Sequence, residues 1–178
     1  MSIFKRIPIP LCAVALGMFG LGNLLQSYSE GIRLLCGAVA AVLLLLFLIS
    51  VIVDFKKFLG EMKNPIMASV FCTFPMALMM LATYIKPYIG PPAKALWFVG
   101  IGLHVVLIVY FTLKFVLGFS LEKVFASWFI VYVGIAMAGI TAPAFDGMAI
   151  GSACVKFGLA ALAVLLILVT VRYLKKPV

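Results

Sequence analysis

From Leu34 to Val53 the chain runs for 20 residues without a charge or a proline. A helix rises about 1.5 Å per residue, so a run of this length crosses a hydrocarbon core roughly 30 Å thick. Five more apolar stretches, each about a bilayer thick, follow or precede it with little polar sequence between them. In lipid every backbone polar group has to be satisfied within the protein, and a helix does that with no partner segment. The expected fold is therefore an all-α, polytopic membrane protein with six transmembrane helices. A soluble enzyme is excluded.

Composition agrees. Residues of the hydrophobic set make up 66% of the 178, more than a soluble domain of this size could bury. The 14 basic and 5 acidic side chains lie mostly between the apolar runs. A formal charge of +9 would suggest nucleic acid in a soluble protein. Here the basic residues flank membrane spans, so they report orientation, and no nucleic-acid partner is implied. Cys12, Cys36, Cys72 and Cys154 are scattered through the spans with no C-x-x-C pair, and they read as small apolar packing residues. Lys5-Arg6 before an apolar run imitates a signal peptide, but the run extends from Ile7 to Tyr28, and a retained first helix is the expectation.

The expected spans are 8–28, 33–53, 65–85, 95–117, 125–144 and 149–171, in one transmembrane domain covering 1–178. Glu30-Gly31, the charged run from Asp54 to Asn64, Lys86-Pro87 through Pro92, Gly118 to Lys123 and Pro143 to Gly147 separate them. Proline lacks an amide hydrogen and clashes with the preceding turn, so the 86–92 segment is expected to be non-helical. Short connections make neighbouring helices antiparallel. Lys5, Arg6, Lys56, Lys57, Lys63, Lys114, Lys123, Arg172, Lys175 and Lys176 then fall on one side, against Arg33, Lys86 and Lys94 on the other. That asymmetry predicts a cell-membrane protein with both termini in the cytoplasm.

Odd and even spans differ. The second and sixth are plain Leu/Val/Ala helices suited to lipid, whereas the odd spans carry Gly17, Gly20, Gly22, Pro75, Gly134 and Gly139. A helical hairpin of about 55–60 residues used three times accounts for this alternation. Glycine and proline are tolerated in membrane helices that pack closely or line a cavity. Close packing explains each glycine singly; their concentration on alternate spans predicts an inner layer of odd helices. Gly17, Gly20, Pro75 and Gly134 are the pore-lining candidates.

Three stretches carry a family resemblance: Ile9-Pro10 to Gly20-Leu21-Gly22, Asn64-Pro65 to Phe74-Pro75-Met76, and Ala126-Ser127-Trp128-Phe129 to Gly134-Ile135. Lys156-Phe157-Gly158 to Arg172-Tyr173-Leu174 adds a fourth. In this order and spacing the chain resembles the tellurite-resistance/dicarboxylate transporter family, which includes the bacterial TehA anion channel and the plant slow anion channels. The resemblance implies a trimer whose protomers have ten helices in five hairpins. Odd helices would ring a pore within each protomer, plugged by a phenylalanine on the ninth. The present six spans correspond to the first six of those ten. The expectation is thus a truncated reading frame or one half of a split protein, completed by a second copy or by a C-terminal half.

No catalytic constellation, cofactor site or metal set is legible, since no pair of carboxylates shares a span. His104 and Lys156 are the ionisable groups placed within spans, and such groups are functional hypotheses in a membrane. His104 reads either as a neutral histidine bonded to a carbonyl or hydroxyl of a neighbouring helix, or as a proton relay. Lys156 reads as snorkelling to the interface, with anion attraction as the competing role. Trp97, Trp128, Tyr28, Tyr84, Tyr88, Tyr132 and Tyr173 read as interfacial anchors, with Tyr110 and Tyr132 deep enough to hydrogen-bond within the bundle. Two functions follow. One is passage of small anions (C4-dicarboxylate, tellurite or inorganic) through a pore between odd helices. The other is a non-conducting six-span scaffold or subunit.

Overall fold

The computed structural model describes residues 7–118 and 124–175, and every regular element in it is helical. Lys5, Arg6, Lys123 and Lys176 of the basic asymmetry, and most of the 118–123 connection, lie outside the described residues.

The first span is α1, Leu11–Leu25. At 15 residues it is the shortest of the six, and the other five are long and apolar enough to cross a membrane. The second is α2, Glu30–Val53, which starts three residues earlier than expected. Ser29 is extended at the N-cap, and Glu30 sits in the first turn, where the helix dipole favours a negative charge. The charged run after it is not a plain loop. It forms α3, Phe55–Glu61, because the Asp54 carboxylate accepts from the Lys57 amide at 3.1 Å and supplies an N-cap.

The third span is two helices, α4 (Pro65–Phe71) and α5 (Thr73–Ile89). Asn64 starts α4 by accepting from the Ile66 and Met67 amides at 2.9 and 3.3 Å, with Pro65 at the first turn, where no amide is needed. The interruption at Cys72 has a local cause. Pro75 has no N–H to give the Phe71 carbonyl, so the ladder fails there. Thr73 stitches the break by donating its hydroxyl to the Val70 carbonyl at 2.7 Å.

The expectation that 86–92 breaks the helix is corrected. α5 continues through Lys86-Pro87 to Ile89, and α6 (Pro91–Phe111) begins one residue later. Pro87 removes only one ladder bond near the end of α5, and Pro91-Pro92 occupy first-turn positions that lack intrahelical donors anyway. Gly90, at φ +64°, makes the reversal between them. α6 ends in a π turn, Thr112–Val116.

The fifth span is the most broken. It comprises α7 (Trp128–Tyr132), a 3-10 turn Gly134–Ala136, α8 (Met137–Thr141) and a second 3-10 turn Ala142–Phe145. Asp146, at φ 53°, then turns the chain into α9, Met148–Lys175, the sixth span.

Consecutive spans pair as hairpins, α1 with α2, α5 with α6, and α8 with α9. The hairpins meet through their odd members, since α1 packs on α5 and α5 on α8. The even helices lie outside this arc, and α9 is the least buried of the long spans. The last hairpin is closed by small residues: a Cβ on Gly151 would sit 3.0 Å from the Gly139 Cα and 2.5 Å from the Ala142 Cβ. Such contacts let membrane helices approach at backbone distance.

Three expected interfacial anchors are corrected. Trp97 and Trp128 are 0% and 2% exposed, inside the protein. Trp97 donates Nε1–H to the Thr141 hydroxyl at 2.8 Å and fills the space left by Gly147, so a side chain with one donor found its acceptor in the bundle. Tyr84 is likewise buried and donates to the Phe19 carbonyl at 2.8 Å, whereas Tyr28 and Tyr88 remain exposed. Tyr110 and Tyr132 bond within the bundle, to the Met62 carbonyl and the Thr112 hydroxyl.

Candidate functional site

A groove of about 410 Å³ runs between the odd spans. Its walls are Leu16 from α1, Thr73 and Met76 from α5, and Phe129, Val133, Gly134 and Met137 from the fifth span, with Ile140 at its edge. No residue of an even span lines it. The broken helices explain its shape. At Gly134 the fifth span tightens into a 3-10 turn, and Met76 fills the space that a side chain there would take: a Cβ on Gly134 would lie 2.8 Å from Met76 Sδ.

The four pore-lining candidates separate into two pairs. Pro75 and Gly134 are buried at the back of the arc, and the Pro75 carbonyl lies against Gly100 of α6. Gly17 and Gly20 are exposed, and a Cβ on either would meet nothing within 4 Å. Gly20 shares a helix face with Leu16 and with Asn23, at spacings of four and three residues. It therefore borders the open side of the groove, while Gly17 lies further round the helix.

His104 is fully buried and its Nε2–H donates to the Val131 carbonyl at 2.9 Å. Val131 lies where α7 gives way to the 3-10 turn, so the histidine serves a carbonyl at a helix break. Lys156 is exposed on α9 and takes no part in the groove.

Beyond the groove, towards the α1–α2 connection, Asn23 and Met80 follow Leu16 and Met76 along their helices, with amide nitrogen and sulfur 3.9 Å apart. Asn23 Oδ1 accepts from Arg33 Nε at 3.1 Å. The Arg33 guanidinium lies over the Tyr84 ring, 4.4 Å from its centroid, and also pairs with Glu30. Lys86 is at the same end and donates to the Ala144 carbonyl beside the Phe145 ring. Sequence reasoning missed Asn23 and Arg33. The available signal was an asparagine within an apolar span, since polar groups there are costly unless used.

The lining carries neither acid nor base, and no cluster of three or more His, Cys, Asp or Glu suited to a metal occurs among the described residues. A small solute in this groove would rest mainly against apolar side chains, the Met76 thioether among them. A family model described as "Voltage-dependent anion channel" matches residues 6–177. No curated protein matches the chain. The chain belongs to the voltage-dependent anion channel family, the one its motifs resemble, and is a multi-pass membrane protein of an anion-channel family.

Proposed function

We propose that this member of the voltage-dependent anion channel family passes small anions along the groove between its odd spans. The observation that carries the reading is that this groove is walled by the first, third and fifth spans and includes no acidic side chain. A buried lysine or arginine in the path would hold an anion too tightly to release it, so an uncharged lining favours throughput over strong selection. Inorganic anions, C4-dicarboxylates and tellurite are the substrate classes to compare. Gly20, Pro75 and Gly134 are proposed as the positions that keep the path wide.

Gly20 and Ile140 border open space on one flank of the groove. Further helices, from copies of this chain in a homo-oligomer such as a trimer or from a partner segment, are proposed to cover that flank. Cell-membrane insertion with cytoplasmic termini is part of the same proposal. The test is reconstitution of the purified chain in liposomes with an anion-flux readout, at rising protein density and with a four-span partner segment added. Flux that climbs faster than linearly with density, or returns with the partner, is expected. Absence of flux under all these conditions leaves the scaffold function.

A further inference from the structure

We infer that Arg33 recruits anions at one end of the groove and that Glu30 is its displaceable cover. The inference rests on the anion-passage reading of the groove. Arg33 is fixed independently of Glu30, by the Asn23 side-chain oxygen on Nε at 3.1 Å and by the Tyr84 ring at 4.4 Å. Tyr84 is itself anchored through its hydroxyl to the Phe19 carbonyl. The Arg33 side chain is 11% exposed, so the cation is held in place rather than waving in solvent.

Glu30 is different. Its side chain is 53% exposed, and among the described residues its ion pair is with Arg33, three residues along the same helix. Glu30 is the solvent-facing half of this pair, so its carboxylate can swing into water as an arriving anion takes over the guanidinium N–H and its charge. Position completes the argument. Asn23, which holds Arg33, lies on the helix face of Leu16 and Gly20, about 10 Å beyond Leu16 along α1. Arg33 thus stands about two helical turns from the groove, on the side from which an anion would enter it. Lys86 and Lys94 add two further positive charges at this end, against Glu30 and Asp146, so the end is basic on balance.

A purely structural role for Arg33 would predict that losing either partner weakens the protein. Recruitment predicts opposite signs. In liposomes with nitrate as the permeant anion at low ionic strength, Arg33→Gln is expected to lower initial flux about tenfold, in line with electrostatic effects on association. Glu30→Gln is expected to raise it severalfold, and Arg33→Lys to fall between Arg33→Gln and wild type. High ionic strength should shrink all three differences, because exposed charges are screened. Equal flux for Arg33→Gln and wild type overturns the inference. So does a loss unchanged by salt, or a loss in Glu30→Gln matching that in Arg33→Gln. If Arg33→Gln does not fold, Arg33→Lys and Glu30→Gln still give the sign. Thermal unfolding of the detergent-solubilised protein with and without nitrate separates the two readings. If wild type shows no flux, anion passage fails alone; nitrate stabilisation that Glu30→Gln enhances and Arg33→Lys reduces then upholds Arg33 as an anion site. No such difference removes it.

Discussion

His104 illustrates how a lone ionisable side chain is accommodated inside an apolar bundle. Its Nε2 is committed to the Val131 carbonyl, a group at the point where α7 stops being a regular helix. His104→Leu leaves that buried carbonyl without a donor, and a loss of about 1–3 kcal/mol is expected in thermal unfolding in detergent. His104→Gln retains an N–H and should recover part of it. If histidine relayed protons, His104→Gln would also flatten a pH dependence of flux; an unchanged profile is expected. The candidate glycines make a second residue-scale contrast. Gly20→Leu enters open space, so stability should stay within about 0.5 kcal/mol while flux falls. Gly134→Val would press on Met76 and on the His104 ring, and both stability and flux should drop, stability by about 1–3 kcal/mol.

Between elements, Tyr84 is the pin that fastens the first hairpin to α5. Its ring occupies space left by Gly37 on α2, its hydroxyl sits against Gly22 on α1, and Arg33 covers its other face. A Cβ on Gly37 would overlap the ring, and Tyr84 cannot withdraw without giving up its bond to the Phe19 carbonyl. Gly37→Ala should therefore cost about 1–3 kcal/mol in thermal unfolding. Tyr84→Phe, which keeps the ring and loses the hydroxyl, should cost about 1 kcal/mol. Equal stability of Gly37→Ala and wild type would mean that the two hairpins slide apart freely. The break in the third span belongs to the same scale: Pro75 interrupts the ladder, Thr73 repairs it, and both Thr73 and Met76 are thereby presented to the groove.

For the whole molecule, hairpin packing fixes which connections share a side of the membrane. Gly60, in the α3 segment, and Tyr88, at the end of α5, are exposed and lie at opposite ends of the third span. With the native cysteines replaced, Gly60→Cys should react with an impermeant thiol reagent only from the cytoplasmic side and Tyr88→Cys only from outside. The reverse pattern would invert the orientation drawn from the basic residues. The same asymmetry would then need another cause, since Lys/Arg excess near span ends is the usual determinant of direction.

The sequence by itself determined that the chain is a succession of apolar, membrane-spanning helices, because length and hydrophobicity decide what a bilayer will accept. It also marked Asn64-Pro65 as a helix start, a matter of local hydrogen bonding. It could not say which way each apolar face points. Lipid and protein interior are equally apolar, so a lipid-facing leucine and a core leucine look the same in sequence. Trp97 and Trp128 therefore fit interface anchors by sequence and are core in the fold, and Gly17 and Gly20 lie open while Gly134 is buried. The groove draws on Leu16, Met76 and Gly134, roughly 60 residues apart from one to the next. Only the packing of three odd helices brought them together, by rotating each helix until its small and broken segments met.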